Sequence, residues 1–174
     1  TLYISDLDGT LLNDKAELSA YSIETINTLI KQGIHFTIAT ARTAASVITI
    51  VGPLQINIPV ILMNGVLIYD IPSKKYLNIH RLSKEGIATI IKTLKYNNLT
   101  GFMYEVKNHN LTTYYERLES SALKEFHDER VTKYQKTFLQ VPDFAQVNPE
   151  HIIYFALLDS KEQLEPAYRM LQSI

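Results

Sequence analysis

Cysteine is absent from the 174 residues, so the chain can form neither disulfide staples nor thiolate metal centres. That excludes zinc-ribbon readings and fits a reducing cytoplasm. An excess of one charge is missing too. Seventeen basic residues against eighteen acidic ones leave a formal charge of −1, so nothing draws the chain as a whole to nucleic acid or an anionic membrane. Long hydrophobic runs are lacking: the stretch Ile58 to Ile71 is broken by Pro59, Asn64, Gly65 and Asp70, and no membrane-spanning helix is expected. The sequence starts at Thr1 inside a strand-like run without a basic or long apolar leader, so no signal peptide is expected, and the missing Met points to trimming at the front. No repeat or low-complexity tract is evident.

What is present is an ordinary globular composition, 46% hydrophobic and 20% charged, in a length that can bury a real core. The first half alternates strand-like and helix-like segments, the pattern of parallel βαβ units. Leu2 to Ser5 reads as a strand. From Ser19 to Gln32, Ile23, Ile26, Leu29 and Ile30 recur at helical spacing, with Ser19 as N-cap and Gly33 as stop. A strand over Ile34 to Ala39, a helix over Ala44 to Val51 ended by Gly52-Pro53, a strand over Val60 to Met63 and a hairpin arm over Val66 to Tyr69 follow.

Beyond about Leu82 the texture shifts to fewer glycines and more tyrosines and charges, which predicts domains at 1–81 and 82–174. There, Ile87, Ile90, Ile91 and Leu94 mark a helix face. Phe102 to Val106 and Leu111 to Tyr115 read as strands paired across Asn108-His109-Asn110. Leu118, Ala122, Leu123 and Phe126 stripe a charged helix. Ile152 to Leu158 is a strand, and Ser160 with Gln163 forms a capping box before a helix through Leu164, Ala167, Tyr168 and Leu171. The segment from Arg130 to Glu150 has weak periodicity and yields no element.

Chemistry concentrates at the ends of the first strands. Asp6-Leu7-Asp8-Gly9-Thr10-Leu11-Leu12 follows the apolar run Leu2-Tyr3-Ile4, placing two carboxylates where a strand ends and a glycine permits a sharp turn. Such a pair can supply a nucleophile, a proton carrier and enough negative charge for a divalent cation. Thr40 and Arg42 stand at the exit of the next strand, where ligands of open parallel sheets bind. If the two strands are neighbours, a carboxylate pair faces a hydroxyl and a guanidinium, groups suited to a phosphate ester.

These seven residues, with Ala39-Thr40-Ala41-Arg42 one βα unit later and Met63-Asn64-Gly65-Val66-Leu67-Ile68-Tyr69-Asp70 after that, resemble the haloacid dehalogenase superfamily, specifically its Cof-like sugar-phosphate phosphatases. The matches cover about the first 80 residues. The resemblance implies an α/β fold with a Rossmann-like core, a parallel sheet flanked by helices, incomplete in this chain, and an α/β cap domain. It implies Asp6 as nucleophile forming an aspartyl-phosphate, and Asp8 as proton donor to the leaving alcohol and later as base toward water. It further implies Mg²⁺ held by Asp6 and by the backbone carbonyl of Asp8, a phosphate and substrate pocket formed by Thr40, Ala41, Arg42, Asn64 and Gly65, and a small phosphorylated metabolite as substrate, a sugar phosphate first. Asp at the second position of the pair points to phosphate esters rather than to dehalogenation or phosphonate cleavage.

The departures from that pattern matter as well. Ala41 stands where many relatives carry Gly. The superfamily's later lysine and Gly-Asp metal motif do not occur, so the chain is expected to be a fragment of a longer enzyme, nearly inactive alone and open to self-association through the truncated core. A non-catalytic phosphate- or metal-binding module and a mutase are the alternatives. Asp6, Asp8, Thr10, Asp14 and Glu17 also match a calcium-loop register, yet the required glycine falls on Leu11 and a strand precedes the loop. The five histidines lack ligand spacing. Tyr104, Tyr114 and Tyr115 read as sheet-packing residues, and the charges from Glu116 to Arg130 as a solvated helix face.

Overall fold

Strands β1 (Leu2–Ser5) and β2 (His35–Ile38) run parallel, with Leu2 opposite His35 and Ser5 opposite Ile38. Helix α1 (Ala20–Lys31) connects them. It starts where the Ser19 hydroxyl accepts the Ser22 N–H at 3.0 Å, and the chain leaves it through Gly33 at φ 87°. Helix α2 (Ala44–Val51) then leads to β3 (Val60–Leu62), which joins β2 through a parallel bridge between Ala39 and Ile61. β3 turns back into β4 (Leu67–Asp70) and β5 (Lys75–Ile79), both antiparallel. The computed structural model describes residues 1–172 and divides the chain into two units, Thr1–His80 and the part from Arg81 onward.

The core of the first unit consists of Leu7, Ile38, Val47, Val60, Leu62 and Leu67, all fully buried. Each such side chain contributes about 1.5–3 kcal/mol relative to exposure. β1 is different: Leu2, Tyr3 and Ile4 are each more than half exposed, although parallel strands are ordinarily covered on both faces. Its pairing partner among the described residues is β2 alone.

In the second unit a four-stranded sheet has the order β8 (Phe138–Gln140), β7 (Asn110–Tyr115), β6 (Phe102–Lys107), β9 (Ile152–Ala156). Met103 and Ile152 pack with Ile87, Ile91 and Leu94 of α3 (Lys84–Tyr96) and Ala167 of α5 (Lys161–Leu171). Alternation along β6 sends Phe102 to the opposite face, where it stacks on Phe126 of α4 (Ser121–Tyr134) at 5.0 Å and meets Phe138 edge-on at 5.4 Å. Tyr104 is buried and meets Tyr154 in the same sheet, while Arg130 of α4 lies over the Phe126 ring.

Some boundaries move from their sequence positions for local reasons. Asn110 belongs to β7; the reversal is a two-residue turn in which Asn108 and His109 both take left-handed backbone, φ 50° and 60°, which matches the twist of the flanking strands. Leu118 precedes α4 rather than striping it, because Ser120 caps the helix through the Leu123 N–H. Only half of the box at Ser160 forms. Its hydroxyl accepts from the Gln163 N–H, but its own N–H donates to Asp159 at 2.8 Å. Tyr168 is exposed, whereas Ala167 faces the core of that unit. β8 lies in the stretch without readable periodicity, a three-residue strand too short to show any. No helix among the described residues is long and apolar enough to cross a membrane.

Candidate active site

The chain reverses directly after β1. Asp6 caps a wide turn by accepting the Leu7 N–H on Oδ1 at 2.7 Å, and the turn closes where the Leu12 N–H meets the Leu7 carbonyl at 2.9 Å. Gly9 sits within it at φ 71°, backbone that a side chain would strain. Leu7 points into the core and is wholly buried, so its neighbours Asp6 and Asp8 are turned outward.

The exit of β2 is pinned to this turn's surroundings by backbone bonds. Ala39 N–H donates to the Ser5 carbonyl at 2.9 Å and Thr40 N–H to the Ile61 carbonyl at 3.0 Å. The Met63 and Asn64 N–H groups return to the carbonyls of Arg42 and Thr40, at 3.2 and 3.1 Å. Met63, Asn64 and Gly65 carry three successive positive φ values of 50°, 57° and 91°. Two of these residues are not glycine, and such strain gathers where surrounding bonds over-determine the backbone.

Asp6, Asp8, Thr40, Ala41, Asn64 and Gly65 consequently line one cleft of about 490 Å³, together with Ala39 and Ile61. Arg42 is not among the residues that line this cleft, but it touches one that does. Its guanidinium makes a two-pronged contact with Asp8, Nε to Oδ2 at 2.8 Å and Nη2 to Oδ1 at 2.7 Å. These hydrogen bonds hold the Asp8 carboxyl below the usual carboxylate range, with burial opposing them and the charge of Arg42 reinforcing them to a smaller extent. Thr40 is buried, and its Oγ1 accepts the Arg42 N–H at 3.2 Å, which leaves the hydroxyl proton as a donor.

Ile61 was not singled out by sequence, and Ala39 only as the first residue of the Ala39-Thr40-Ala41-Arg42 motif, not as a cleft residue. They reach the cleft because β2 and β3 bridge at those two residues, and only the strand order reveals that. Thr43, just before α2, makes no side-chain cap, and its buried Oγ1 has no partner among the described residues.

Magnesium takes oxygen ligands in octahedral geometry, commonly one or two carboxylates with waters and substrate phosphate completing the shell. The all-oxygen wall offered by Asp6 and Asp8 fits such an ion. No cluster of three His, Cys, Asp or Glu side chains that could hold a metal assembles among the described residues.

Sequence comparison gives the family: the chain belongs to the haloacid dehalogenase-like hydrolases, whose family profile matches residues 3–174. A Mycoplasma pneumoniae protein is 35% identical over 91 residues, which are 52% of this chain and 32% of that protein. Phosphatase YwpJ of Bacillus subtilis is 33% identical over 101 residues, 58% of this chain and 34% of its own length. Among solved structures, a haloacid dehalogenase-like hydrolase from Bacteroides thetaiotaomicron superposes with a TM-score of 0.77 at 21% identity, over 98% of this chain and 62% of its own. The fold is therefore that of the family, and the matched region makes up about a third of the length of these two sequence relatives.

Proposed function

We propose that this chain carries the nucleophile-bearing part of a phosphatase acting on a small phosphorylated metabolite, with sugar phosphates as the first class to try and the cytoplasm as its setting. The observation that supports this most is the convergence of Asp6, Asp8, Thr40, Asn64 and Gly65 on one strand-end cleft. Relatives named as phosphatases support the same reaction type. The unit up to His80 takes the part of the catalytic core and the unit from Arg81 onward that of the cap domain.

In this reading the Asp6 carboxylate attacks phosphorus as the bond to the alcohol oxygen breaks. Asp8 gives the departing oxygen its proton, then takes a proton from the water that cleaves the acyl phosphate and returns Asp6 to its free form. The Thr40 hydroxyl and the turn at Asn64-Gly65 hold the phosphoryl oxygens. Mg²⁺, bound by the Asp6 carboxylate and the Asp8 backbone carbonyl, would screen the charge that keeps carboxylate and phosphate apart. A plain anion sensor is disfavoured by the same pair, because two carboxylates repel a bare anion.

Phosphate release from a panel of phosphorylated metabolites, by this chain and by Asp6→Asn, is the test. Slow release that vanishes in Asp6→Asn is expected, because the Asp6 carboxylate and the Asp8 carbonyl alone leave the transition-state charge poorly neutralised. Equal release by both proteins removes Asp6 as nucleophile, and fast turnover by the wild-type chain overturns the view that its catalytic set is incomplete. At high concentration the proposed partner of the open β1 edge is a second copy of this chain, since residues 1–5 carry no charged side chain to oppose strand addition.

A further inference from the structure

The arginine of Thr40-Ala41-Arg42 invites assignment as a phosphate ligand, and the geometry points to a different duty. Its Nε and Nη2 form the edge of the guanidinium that grips a carboxylate or a phosphate in the two-pronged manner. That edge is already engaged by both oxygens of Asp8. Asp8, Thr40 and Ala41 line the cleft, whereas Arg42 between Ala41 and Thr43 does not.

The mounting of Arg42 is rigid at both ends. Its N–H donates to Thr40 Oγ1 at 3.2 Å, and its carbonyl accepts the Met63 N–H at 3.2 Å. α2 begins two residues later. A side chain that is only 21% exposed, leaving such a fixed backbone, loses little further freedom when it holds a partner. Asp8, by contrast, is 52% exposed and sits on the turn after β1. Each Asp8 oxygen spends one lone pair on the guanidinium and keeps another, so a clasped carboxylate can still exchange a proton on its cleft side.

We propose that Arg42 is a positioning residue for Asp8, fixing the plane of that carboxylate from outside the cleft, and that it does not ligate the phosphoryl group. The inference deepens the phosphatase reading and rests on it for the role of Asp8. The contact itself does not depend on that reading. It also assigns phosphate binding to the Thr40 hydroxyl and the backbone at Ala41 and Asn64-Gly65.

Nuclear magnetic resonance of the intact chain tests both parts with orthophosphate and Mg²⁺ as the probe. The Arg42 Nε–H resonance is expected to exchange with water at least about tenfold more slowly in the wild type than in Asp8→Asn, since a charge-assisted pair shields that proton. As phosphate is added, the backbone amides of Thr40, Ala41 and Gly65 should shift together while the Arg42 Nε–H stays in place. Arg42→Ala should then change the phosphate midpoint less than about threefold, and Arg42→Lys, which offers one point charge instead of a fork, should leave Asp8 as mobile as Arg42→Ala does. An Arg42 signal that moves with the same midpoint as Thr40 makes it a phosphate ligand and overturns the proposal. Equal exchange in wild type and Asp8→Asn also overturns it, by removing the clasp. If no amide responds to phosphate, the phosphate-pocket reading fails, and the Asp8→Asn comparison still decides the clasp.

Discussion

Arg42 and Asp8, 34 residues apart in sequence, meet through two hydrogen bonds of 2.8 and 2.7 Å. The contact exists because β1 and β2 are parallel neighbours whose carboxyl ends open on the same side. It sets the first prediction, on pH. The folded-state pKa of Asp8 is lowered, so the pair's contribution to stability is present above the ordinary carboxylate range and is lost as pH falls through the folded value. Because Asp8 is half exposed, solvent screening limits that contribution to less than about 1 kcal/mol. Urea unfolding should show Asp8→Asn slightly less stable than wild type near neutrality and indistinguishable from it in strong acid. A gap that persists in acid would assign the effect to packing instead.

Gly65 gives a cleaner backbone test. Its φ is 91°, and a Cβ added there would meet nothing within 4 Å, so replacement by alanine costs backbone strain alone. Gly65→Ala should lower stability by about 1–2 kcal/mol. It should also weaken orthophosphate binding, because the strained turn places Asn64. Unchanged denaturant midpoint and unchanged affinity together would show that the turn relaxes at no cost.

Alkali should act on the second unit through Tyr114, whose hydroxyl is pushed up to about 12 by burial and by its hydrogen bond and proximity to Glu105. The bond is 2.9 Å long, with the tyrosine donating. A raised folded value means that this stabilisation is complete below the ordinary tyrosine pKa and is lost as pH rises through about 12. Fluorescence-monitored unfolding across that window should therefore be less pH-dependent in Tyr114→Phe than in wild type. Parallel curves would remove Tyr114 as a contributor.

The bare strand β1 predicts concentration-dependent association. Sedimentation should show reversible self-association of the wild-type chain, and Ile4→Lys, a charge on an edge strand, should suppress it while leaving the circular dichroism spectrum unchanged. A wild-type chain that stays monomeric at high concentration would exclude β1 as a contact between copies.

Much of this molecule is legible in contiguous stretches of its sequence. Alternating periodicity placed β1, α1, β2 and α2, since each is an amphipathic or apolar segment bounded by its own caps and stops, such as Ser19, Gly33 and Gly52-Pro53. The expected cleft residues were legible for a similar reason: they stand at strand exits, where carboxylates, hydroxyls and glycines have no packing role to explain them. β8 escaped notice because three residues carry no usable period, and the half-formed cap at Ser160 because Asp159 competes for its N–H at close range. The cleft position of Ala39 and Ile61 was not legible because an apolar residue in a strand looks the same whether it faces a core or a cleft.

By itself the sequence determined the local elements, the acidic pair at the end of β1 and the family to which the chain belongs, all of which are written in contiguous residues. Tertiary structure alone decided that Arg42 meets Asp8, and that β1 is left uncovered. Both depend on which strands lie side by side, a long-range choice made by burial of Leu7, Ile38, Val60 and Leu62 together, and no short stretch of sequence carries that information.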